Sequence, residues 1–362
     1  MTPHSASDYL ACFEALLEQN IFALPAKDKK NLLLPVLTAL HEHHKRHCVE
    51  YRNIVGETPL AVNNATSLPY LAVRLFKQFS LSSVAQDEIF RVLQSSGTTG
   101  QVPARVVLDK ATSARQSKAL VKIMQSVLGK QRLPMLIIDS PSVLSDKALS
   151  ARAAGIQGLA FFGRKPVYAL NDDMSLNLEA IQAFQAQHSK TPVLLFGFTF
   201  MVWEYFVHAL RVNNLNLHLP HGKLIHSGGW KKLAHKQVTN RTFKAELNQL
   251  CGITQVHNFY GMAEQVGTVF LECEKGVLHA PLLADIIIRD PYTLAEQTMG
   301  EPGLIQVLSS IPSSYPGFSL LTEDLGRILG EDSCSCGRKG KFFEVLGRLP
   351  KAEVRGCSDT QV

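Results

Sequence analysis

Charged side chains are scarce in this sequence and are not concentrated in any stretch. They make up 19% of 362 residues, against 46% hydrophobic residues, and the net charge is only +6. A chain of this length and composition can bury a large core, which excludes a disordered or strongly polar protein. Basic residues occur in short groups such as Lys27–Lys30, whereas nucleic-acid binders concentrate them on one face. We therefore expect no nucleic-acid partner.

The sequence also lacks a long apolar run and a secretory leader. The longest run, Val193–Phe206, is interrupted by Gly197, Thr199 and Glu204 and is too short for a membrane span. Met1–Asp8 is polar, without a basic stretch before an apolar core, so no signal peptide is expected. The seven cysteines are odd in number and unevenly spaced. These features predict a cytoplasmic protein with reduced cysteines. Metal binding or catalysis is then a more natural role for the cysteines than disulfide formation.

Apolar spacing divides the chain into helical, mixed and β-rich parts. The first ~55 residues repeat apolar side chains at helical spacing. Short apolar runs at Leu133–Ile138 and Val193–Phe196 then alternate with helical patterns such as Ala111–Leu128, which is typical of an α/β protein. Further strands are predicted at Leu283–Ile288, Gly303–Leu308 and Phe342–Gly347. We expect a helical segment at 1–65, an α/β core at 66–274, a β-rich subdomain at 275–347 and a tail at 348–362.

The run His41–His47 places several imidazoles near the end of a predicted helix. Such a cluster could bind a metal, but nothing in the sequence fixes these side chains. Cations suit the negative end of a helix dipole. The simpler prediction is therefore a solvated helix end.

The strongest local motif is Ser95-Ser96-Gly97-Thr98-Thr99-Gly100. Its glycines let the backbone approach a phosphate, and its hydroxyls and consecutive amides can bind phosphate oxygens. It is not a P-loop, because no Gly-Lys-Ser/Thr follows. Taken alone, the motif suits a polar hairpin turn equally well.

A second motif runs from Asn258 to Glu264. Tyr260 offers a ring that could stack on a purine, Gly261 leaves room for it, and Glu264 could hold Mg²⁺ together with phosphate oxygens. Taken alone, the pattern better fits a strand end followed by a helix with a glutamate in its first turn.

Two further segments are unremarkable by themselves. Thr322–Gly326 places Asp324 in a predicted turn, where it would suit a ribose diol. Arg348, after Gly347, adds a guanidinium for ribose or phosphate.

The order of these motifs is more informative than any one of them. A Ser/Thr/Gly loop, Tyr-Gly-x-x-Glu, Thr-x-Asp-x-Gly and Gly-Arg, in this order, resemble the adenylate-forming superfamily of acyl-CoA synthetases, beetle luciferases and peptide-synthetase adenylation domains. His226–Lys231 and Leu346–Arg348, followed by Arg355–Cys357, look like the acyl-protein synthetase of the bacterial bioluminescence fatty-acid reductase. The resemblance covers the chain from about residue 65. It implies the α/β large-domain fold of adenylate-forming enzymes, without most of the mobile C-terminal domain.

The resemblance implies an ATP- and Mg²⁺-dependent ligase that activates a fatty acid as acyl-AMP. The residues expected to cradle the phosphates are Ser95, Ser96, Gly97, Thr98, Thr99 and Gly100. Those expected around the adenine are Gly228, Gly229, Trp230, Tyr260 and Gly261. Glu264 would bind Mg²⁺, Asp324 the ribose hydroxyls, and Arg348 the ribose or the α-phosphate. The apolar segment Phe196–Trp203 would line the acyl pocket, although such stripes are more often plain core.

The sequence departs from the superfamily pattern at two positions that usually carry a lysine. The phosphate loop usually ends Gly-x-Pro-Lys, whereas here Arg105 stands near the place of that lysine. Members with a full C-terminal domain also carry a catalytic lysine, for which this chain shows no counterpart after Arg348. Arg105, Lys231 or a partner protein would then neutralise the phosphates, and the sequence does not choose between them.

Cys357 is either a nucleophile or an idle cysteine in a frayed tail. It follows Arg348 by nine residues, a span of at most ~30 Å when extended. Lys351 and Arg355 would favour its thiolate. In the family that the sequence resembles, a cysteine near the C-terminus becomes acylated as a thioester, and Cys357 matches that position.

The resemblance therefore implies that the acyl group passes from acyl-AMP to Cys357 and then to a partner of the acyl-CoA reductase type, in a homo- or hetero-oligomer. One alternative is an acyl- or aryl-CoA ligase with coenzyme A as acceptor. Another is a non-catalytic binding subunit, although Glu264, Asp324 and Arg348 are all retained.

Four residues could form a metal site. Cys273 and His279 are close in sequence, and Cys334 and Cys336 supply a pair. Three thiolates and one imidazole make a closed, tetrahedral, structural zinc site. A similar arrangement in relatives of phenylacetate-CoA ligase supports this interpretation. The alternative is a pair of surface cysteines on a β-hairpin.

Overall fold

The N-terminal part of the chain is helical, as its periodicity predicts. The computed structural model describes residues 6–57, 62–94, 103–144, 151–230 and 236–349. The first helices are α1 (Ala6–Glu18), α2 (Ala26–His47) and α3 (Val49–Val55). Leu33, Val36, Leu37 and Leu40 of α2 are buried in the main core. This packing supports a helix that contains a proline, Pro35.

The prediction of a solvated helix end is correct for Arg46 and His47, which are exposed, but it is wrong for the histidines earlier in the run. His41 and His44 are buried. Nδ1 of His44 accepts a hydrogen bond from Ser83 (2.8 Å), and its Nε2 donates to the carbonyl of Pro312 (3.2 Å). Nδ1 of His41 lies 2.8 Å from the Tyr51 hydroxyl. Burial lowers the pKa of both imidazoles, so they are neutral groups that pack α2 against the C-terminal part of the chain.

A large mixed sheet forms the centre of the molecule. The described strands are β1 (Leu71–Ala72), β2 (Arg91–Gln94), β3 (Arg105–Leu108), β4 (Leu133–Ile137), β5 (Gly163–Tyr168), β6 (Val193–Phe198), β7 (Gly222–Ser227), β8 (Gln255–Tyr260), β9 (Phe270–Glu272), β10 (Leu278–His279), β11 (Ala284–Arg289), β12 (Gly303–Ser309), β13 (Ser319–Glu331) and β14 (Lys341–Arg348). Strands β2 and β3 form a separate antiparallel pair. The others form one sheet in the order β11-β12-β13-β14-β10-β9-β8-β7-β6-β4-β5, with β1 beside β13.

Strands β4 to β8 are the parallel half of this sheet. The helices that follow α3 are α4 (Lys110–Leu128), α5 (Ala151–Ala160), α6 (Leu178–His188), α7 (Thr199–Met201), α8 (Ala209–Val212) and α9 (Asn240–Cys251). Helices α4 and α5 share one apolar cluster with the sheet, and α6 and α9 share the other. A π-helix, Val202–His208, joins α7 to α8. Parallel strands bring their carboxyl ends to one edge, where open α/β sheets bind ligands.

The antiparallel strands continue the same sheet past residue 275. The three strands predicted there are present as β11, β12 and β14. Asp324 was expected in a turn, and that is wrong: it lies within the long strand β13. The β13–β14 register shifts just after it, between Leu325 and Gly326. A Cβ at Gly326 would lie 2.6 Å from the carbonyl oxygen of Glu344, so the glycine allows the strands to pair this closely. The division of the chain at residue 275 remains a prediction.

Candidate active site

Two of the predicted nucleotide-binding segments follow neighbouring parallel strands. Gly228 comes directly after β7, and Gly261 directly after β8. Gly228 has a φ of +82°, and a Cβ there would lie 3.0 Å from Cδ1 of Phe198, so this turn favours glycine. An added Cβ at Gly229 would have no neighbour within 4 Å. The backbone at this edge therefore leaves room for a flat ligand to approach.

Tyr260, Asp324 and Arg348 form one hydrogen-bonded chain. The Tyr260 hydroxyl donates to Oδ2 of Asp324 (2.7 Å), and Nε of Arg348 donates to Oδ1 (3.2 Å). Asp324 and Arg348 are direct partners across β13 and β14. Burial and the Asp324 carboxylate raise the pKa of Tyr260 well above its usual value, so the phenol remains a donor. Two donors thus orient the carboxylate, and the Arg348 side chain is exposed beside it.

Glu264 lies in a short 3-10 turn after β8 and is 8% exposed. Burial raises the pKa of its carboxyl, while its own backbone N–H and the charges of Lys77 and Arg348 act to lower it. The next residue, Gln265, donates from Nε2 to the carbonyl oxygen of Gly317 (2.6 Å). This contact fixes the turn against the antiparallel half of the sheet. The backbone of this turn is therefore fixed, and the charge of Arg348 acts on the Glu264 carboxylate.

Two buried acceptors near this edge were not singled out from the sequence. Thr199 donates to the Ser227 carbonyl (3.2 Å), so Nδ1 of His226 is the donor to the Thr199 hydroxyl (2.9 Å). Nε2 of His226 is then an acceptor, and it has no partner among the described residues. Oδ1 of Asn258, whose backbone pairs with His226 across β7 and β8, is also buried without one. Both residues lie within motifs quoted above, but only the strand register brings them side by side.

The aromatic residues next to the site pack mainly on one another. Trp230 meets Trp203 edge-on (5.9 Å between centroids), and Trp203 stacks on Phe243 of α9. In the segment proposed as acyl lining, Phe196, Met201 and Val202 are fully buried, which agrees with the core alternative. Phe198 is half-buried, and its ring lies 3.0 Å from where a Cβ of Gly155 would be. It therefore stands between α5 and the Gly228 turn.

Of the remaining predicted active-site residues, Arg105 lies within the described ranges. Arg105 begins β3, and its side chain is exposed. Strand β3 packs against the turn that holds Glu264, so this arginine belongs to the same side of the molecule. Ser95–Gly100, Lys231 and Cys357 lie outside the described residues.

The four predicted metal ligands come together. The ligand atoms of Cys273, His279, Cys334 and Cys336 all lie within 4.8 Å of one another. Sγ of Cys273 is 4.0 Å from Sγ of Cys334, and Sγ of Cys336 is 3.4 Å from Nε2 of His279. Zinc–sulfur bonds of about 2.3 Å in a tetrahedron need such spacings. These donors fit a structural zinc ion, and they leave no open position for catalysis.

Residues next to these four ligands contact the N-terminal helical segment. The Arg338 guanidinium, two residues after Cys336, lies over the Phe22 ring at 4.3 Å. The backbone N–H of Lys339 donates to the Phe22 carbonyl (2.8 Å). The carboxylate of Asp332 accepts from the N–H of Ala26 (3.0 Å), at the start of α2. The hairpin between β13 and β14 thus joins the four candidate metal ligands to the helical segment.

The fold is shared with solved structures of known enzymes. A structure of 2-hydroxyisobutyryl-CoA ligase with 2-HIB-AMP and CoA in the thioesterification state is similar with a TM-score of 0.70 and 18% identity, covering 92% of this chain and 72% of that one. An open conformation of the same ligase gives 0.69 and 19%, covering 90% and 76%. The chain therefore has the predicted α/β fold of an adenylate-forming ligase.

The family follows from the sequence comparison. Residues 7–361 match the model of the acyl-protein synthetase family LuxE, and the chain belongs to that family. A long-chain-fatty-acid–luciferin-component ligase of Aliivibrio fischeri is 24% identical over 336 residues, covering 89% of this chain and 85% of the relative. The ligase of the same description from Vibrio harveyi is 22% identical over 355 residues, covering 92% and 88%. The predictions of family and of an acyl-protein ligase are thus confirmed. None of the helices in the described ranges is long and apolar enough to cross a membrane.

Proposed function

We propose that this chain activates a long-chain fatty acid with MgATP to give acyl-AMP and pyrophosphate. The observation that carries the proposal is the chain of hydrogen bonds from Tyr260 through Asp324 to Arg348, beside the Glu264 turn. It lies at the carboxyl edge of the parallel strands, where such sheets bind nucleotides. The names of the two relatives support a long-chain fatty acid as the substrate.

In this proposal the adenine lies between the Tyr260 ring and the Gly228–Trp230 turn. The ribose hydroxyls donate to Asp324, and Arg348 contacts the ribose or the α-phosphate. Glu264 would hold Mg²⁺, which would neutralise charge on the phosphate oxygens. Ser95–Gly100 and Arg105 would bind the remaining phosphates. A carboxylate oxygen of the fatty acid attacks the α-phosphorus, the bond from that phosphorus to the bridging oxygen breaks, and pyrophosphate leaves.

The second half of the proposed reaction is a transfer to a thiol. The Cys357 thiolate attacks the carbonyl carbon of acyl-AMP, the bond to the phosphate oxygen breaks, and AMP leaves. Lys351 and Arg355 are close enough in sequence to favour the thiolate. The thioester would then deliver the acyl group to a partner protein of the acyl-CoA reductase type.

We also propose that Cys273, His279, Cys334 and Cys336 bind a structural zinc ion. Support comes from the mutual spacing of their ligand atoms. Burial lowers the pKa of His279 to about 4, so its ring is neutral and keeps a lone pair for a metal.

Intact-protein mass spectrometry after incubation with MgATP and tetradecanoic acid tests the reaction. We expect a mass gain of one acyl group that hydroxylamine removes and that Cys357→Ala abolishes. Pyrophosphate release without a mass gain would retain the adenylation but transfer the acceptor role to coenzyme A or a partner. Neither signal, across a panel of acids, would contradict the proposed reaction and favour a binding subunit.

A further inference from the structure

A lysine outside the predicted motifs lies near the Glu264 turn. Lys77 ends a 3-10 helix, Val73–Lys77, that follows β1. Strand β1 runs parallel to β13, with Ala72 opposite Leu321. The helix therefore begins beside the part of β13 that leads to Asp324.

Contacts on both sides fix this short helix. Nη2 of Arg74 lies 2.8 Å from Oε1 of Glu323 on β13. Phe76 is fully buried, and its ring meets the Tyr315 ring edge-on with centroids 5.9 Å apart. Because Phe76 immediately precedes Lys77, this core contact sets where the lysine backbone lies. The Lys77 side chain itself is exposed.

Tyr315 connects the helix to Glu264. The α-carbon of Gly317 packs between the Tyr315 ring and the backbone of Glu264. A Cβ added at Gly317 would lie 2.9 Å from the Glu264 carbonyl oxygen and would also clash with the Tyr315 ring. Phe76, Tyr315 and the Glu264 turn are therefore packed in succession. The attraction between Lys77 and Glu264, which acts to lower the pKa of Glu264 against the effect of burial, agrees with this geometry.

We propose that Lys77 binds the β- and γ-phosphates of MgATP and the pyrophosphate formed from them. This inference rests on the adenylation reaction proposed above and adds a catalytic residue to it. Arg348 and Asp324 are joined at the ribose end of the site, whereas Lys77 approaches Glu264 from β1. An ammonium is a compact charge that suits phosphate oxygens. As the α-phosphorus bond breaks, it would stabilise the charge that develops on the leaving pyrophosphate.

Calorimetric titration of MgATP and of AMP separates this role from a general effect on the site. We expect Lys77→Met to bind MgATP about 10- to 100-fold more weakly, the usual loss for one charge-assisted hydrogen bond. AMP lacks the phosphates that Lys77 contacts, so its affinity should change by less than about twofold. Lys77→Arg keeps the charge and should recover most of the MgATP affinity. The matched control is Lys190→Met, an exposed lysine just before β6, at the amino edge of the parallel strands.

The outcomes also distinguish this inference from the proposed reaction. MgATP binding that is equal in wild type and Lys77→Met, or lost in step with AMP binding, would overturn the role of Lys77 and leave adenylation standing. A wild-type chain that binds AMP but not MgATP would overturn both. Unfolding temperatures without ligand, which should match because Lys77 is exposed, show whether the fold is intact.

Discussion

In the proposed reaction, Glu264 has to ionise in a mostly buried position before it can bind Mg²⁺. Burial raises its pKa, so protonation should begin above the usual carboxyl value of about 4.3. We expect the MgATP affinity of the wild type to fall as the pH is lowered from neutral, and this part of the pH dependence to be absent in Glu264→Gln. At neutral pH the variant should bind MgATP about 10- to 100-fold more weakly, because it loses a charged ligand. Titrations at several pH values measure both effects.

The stability of the same variant provides the control. A folded-state pKa raised above the unfolded value contributes stability at low pH, and that contribution is lost as the pH rises through the folded pKa. Replacing Glu264 with a neutral glutamine should therefore leave the ligand-free unfolding temperature at pH 7 unchanged or higher. An identical pH profile of MgATP binding in variant and wild type would contradict the role of Glu264.

The order of the motifs along the sequence was enough to name individual candidate site residues. Tyr260, Asp324 and Arg348 are far apart in the chain, yet all three were named, and the structure joins them. Their mutual contacts depend on the register of β13 with β14, which no local pattern contains. Lys77 was not found, because its approach to Glu264 depends on the packing of Phe76 against Tyr315.

At the scale of elements, the stability of the hairpin between β13 and β14 should depend on the zinc ion proposed above. We expect one zinc ion per chain in the wild type and a large loss of zinc in Cys336→Ser, measured by elemental analysis. Metal binding to the folded state alone stabilises it by about 2.7 kcal/mol at 100 times the dissociation constant. Removing zinc should therefore lower the unfolding temperature. It should also increase hydrogen exchange at the start of α2, which Asp332 of this hairpin contacts.

Cys251→Ala is the matched control for the zinc site. Cys251 is fully buried in the second apolar cluster, away from the four candidate ligands. This variant should lose some stability because it leaves a cavity, but it should retain the zinc. Equal zinc contents in Cys336→Ser and wild type, or no zinc in either, would exclude the site.

Elements with a local apolar pattern were predicted, whereas one strand without such a pattern was missed. Ala111–Leu128 was predicted from its apolar period, and α4 occupies almost the same residues. Strand β13 was not predicted, because its burial alternates regularly only from Gly326 to Glu331 and two glycines interrupt that part. It is stabilised instead by β12 on one side and by β14 and β1 along its length. Such pairing joins distant segments and leaves little trace in a local sequence.

At the scale of the whole molecule, the helical segment and the β-rich part meet at His44. It packs against Phe318 as well as bonding to Ser83 and Pro312. The segment after Pro312 includes Gly317, which contacts the Glu264 turn. The same buried interface thus connects α2 to the candidate active site. Protonation of His44 would place a charge in this interface, so the pH dependence of folding is a direct probe of it.

Burial lowers the pKa of His44 well below its usual value, and it lowers that of His226 to about 4. Between the unfolded value of about 6.5 and these folded values, the unfolded chain binds more protons, so stability must fall as the pH falls. We expect urea unfolding at pH 7, 6 and 5 to show this loss, with His44 contributing up to about 1.4 kcal/mol per pH unit. His44→Gln should be less stable at pH 7 by about 1–3 kcal/mol, because buried partners lose their hydrogen bonds, but it should lose less stability on acidification. His208→Gln, at an exposed position, should follow the wild type. Parallel pH slopes for His44→Gln and wild type would mean that another group controls the acid response.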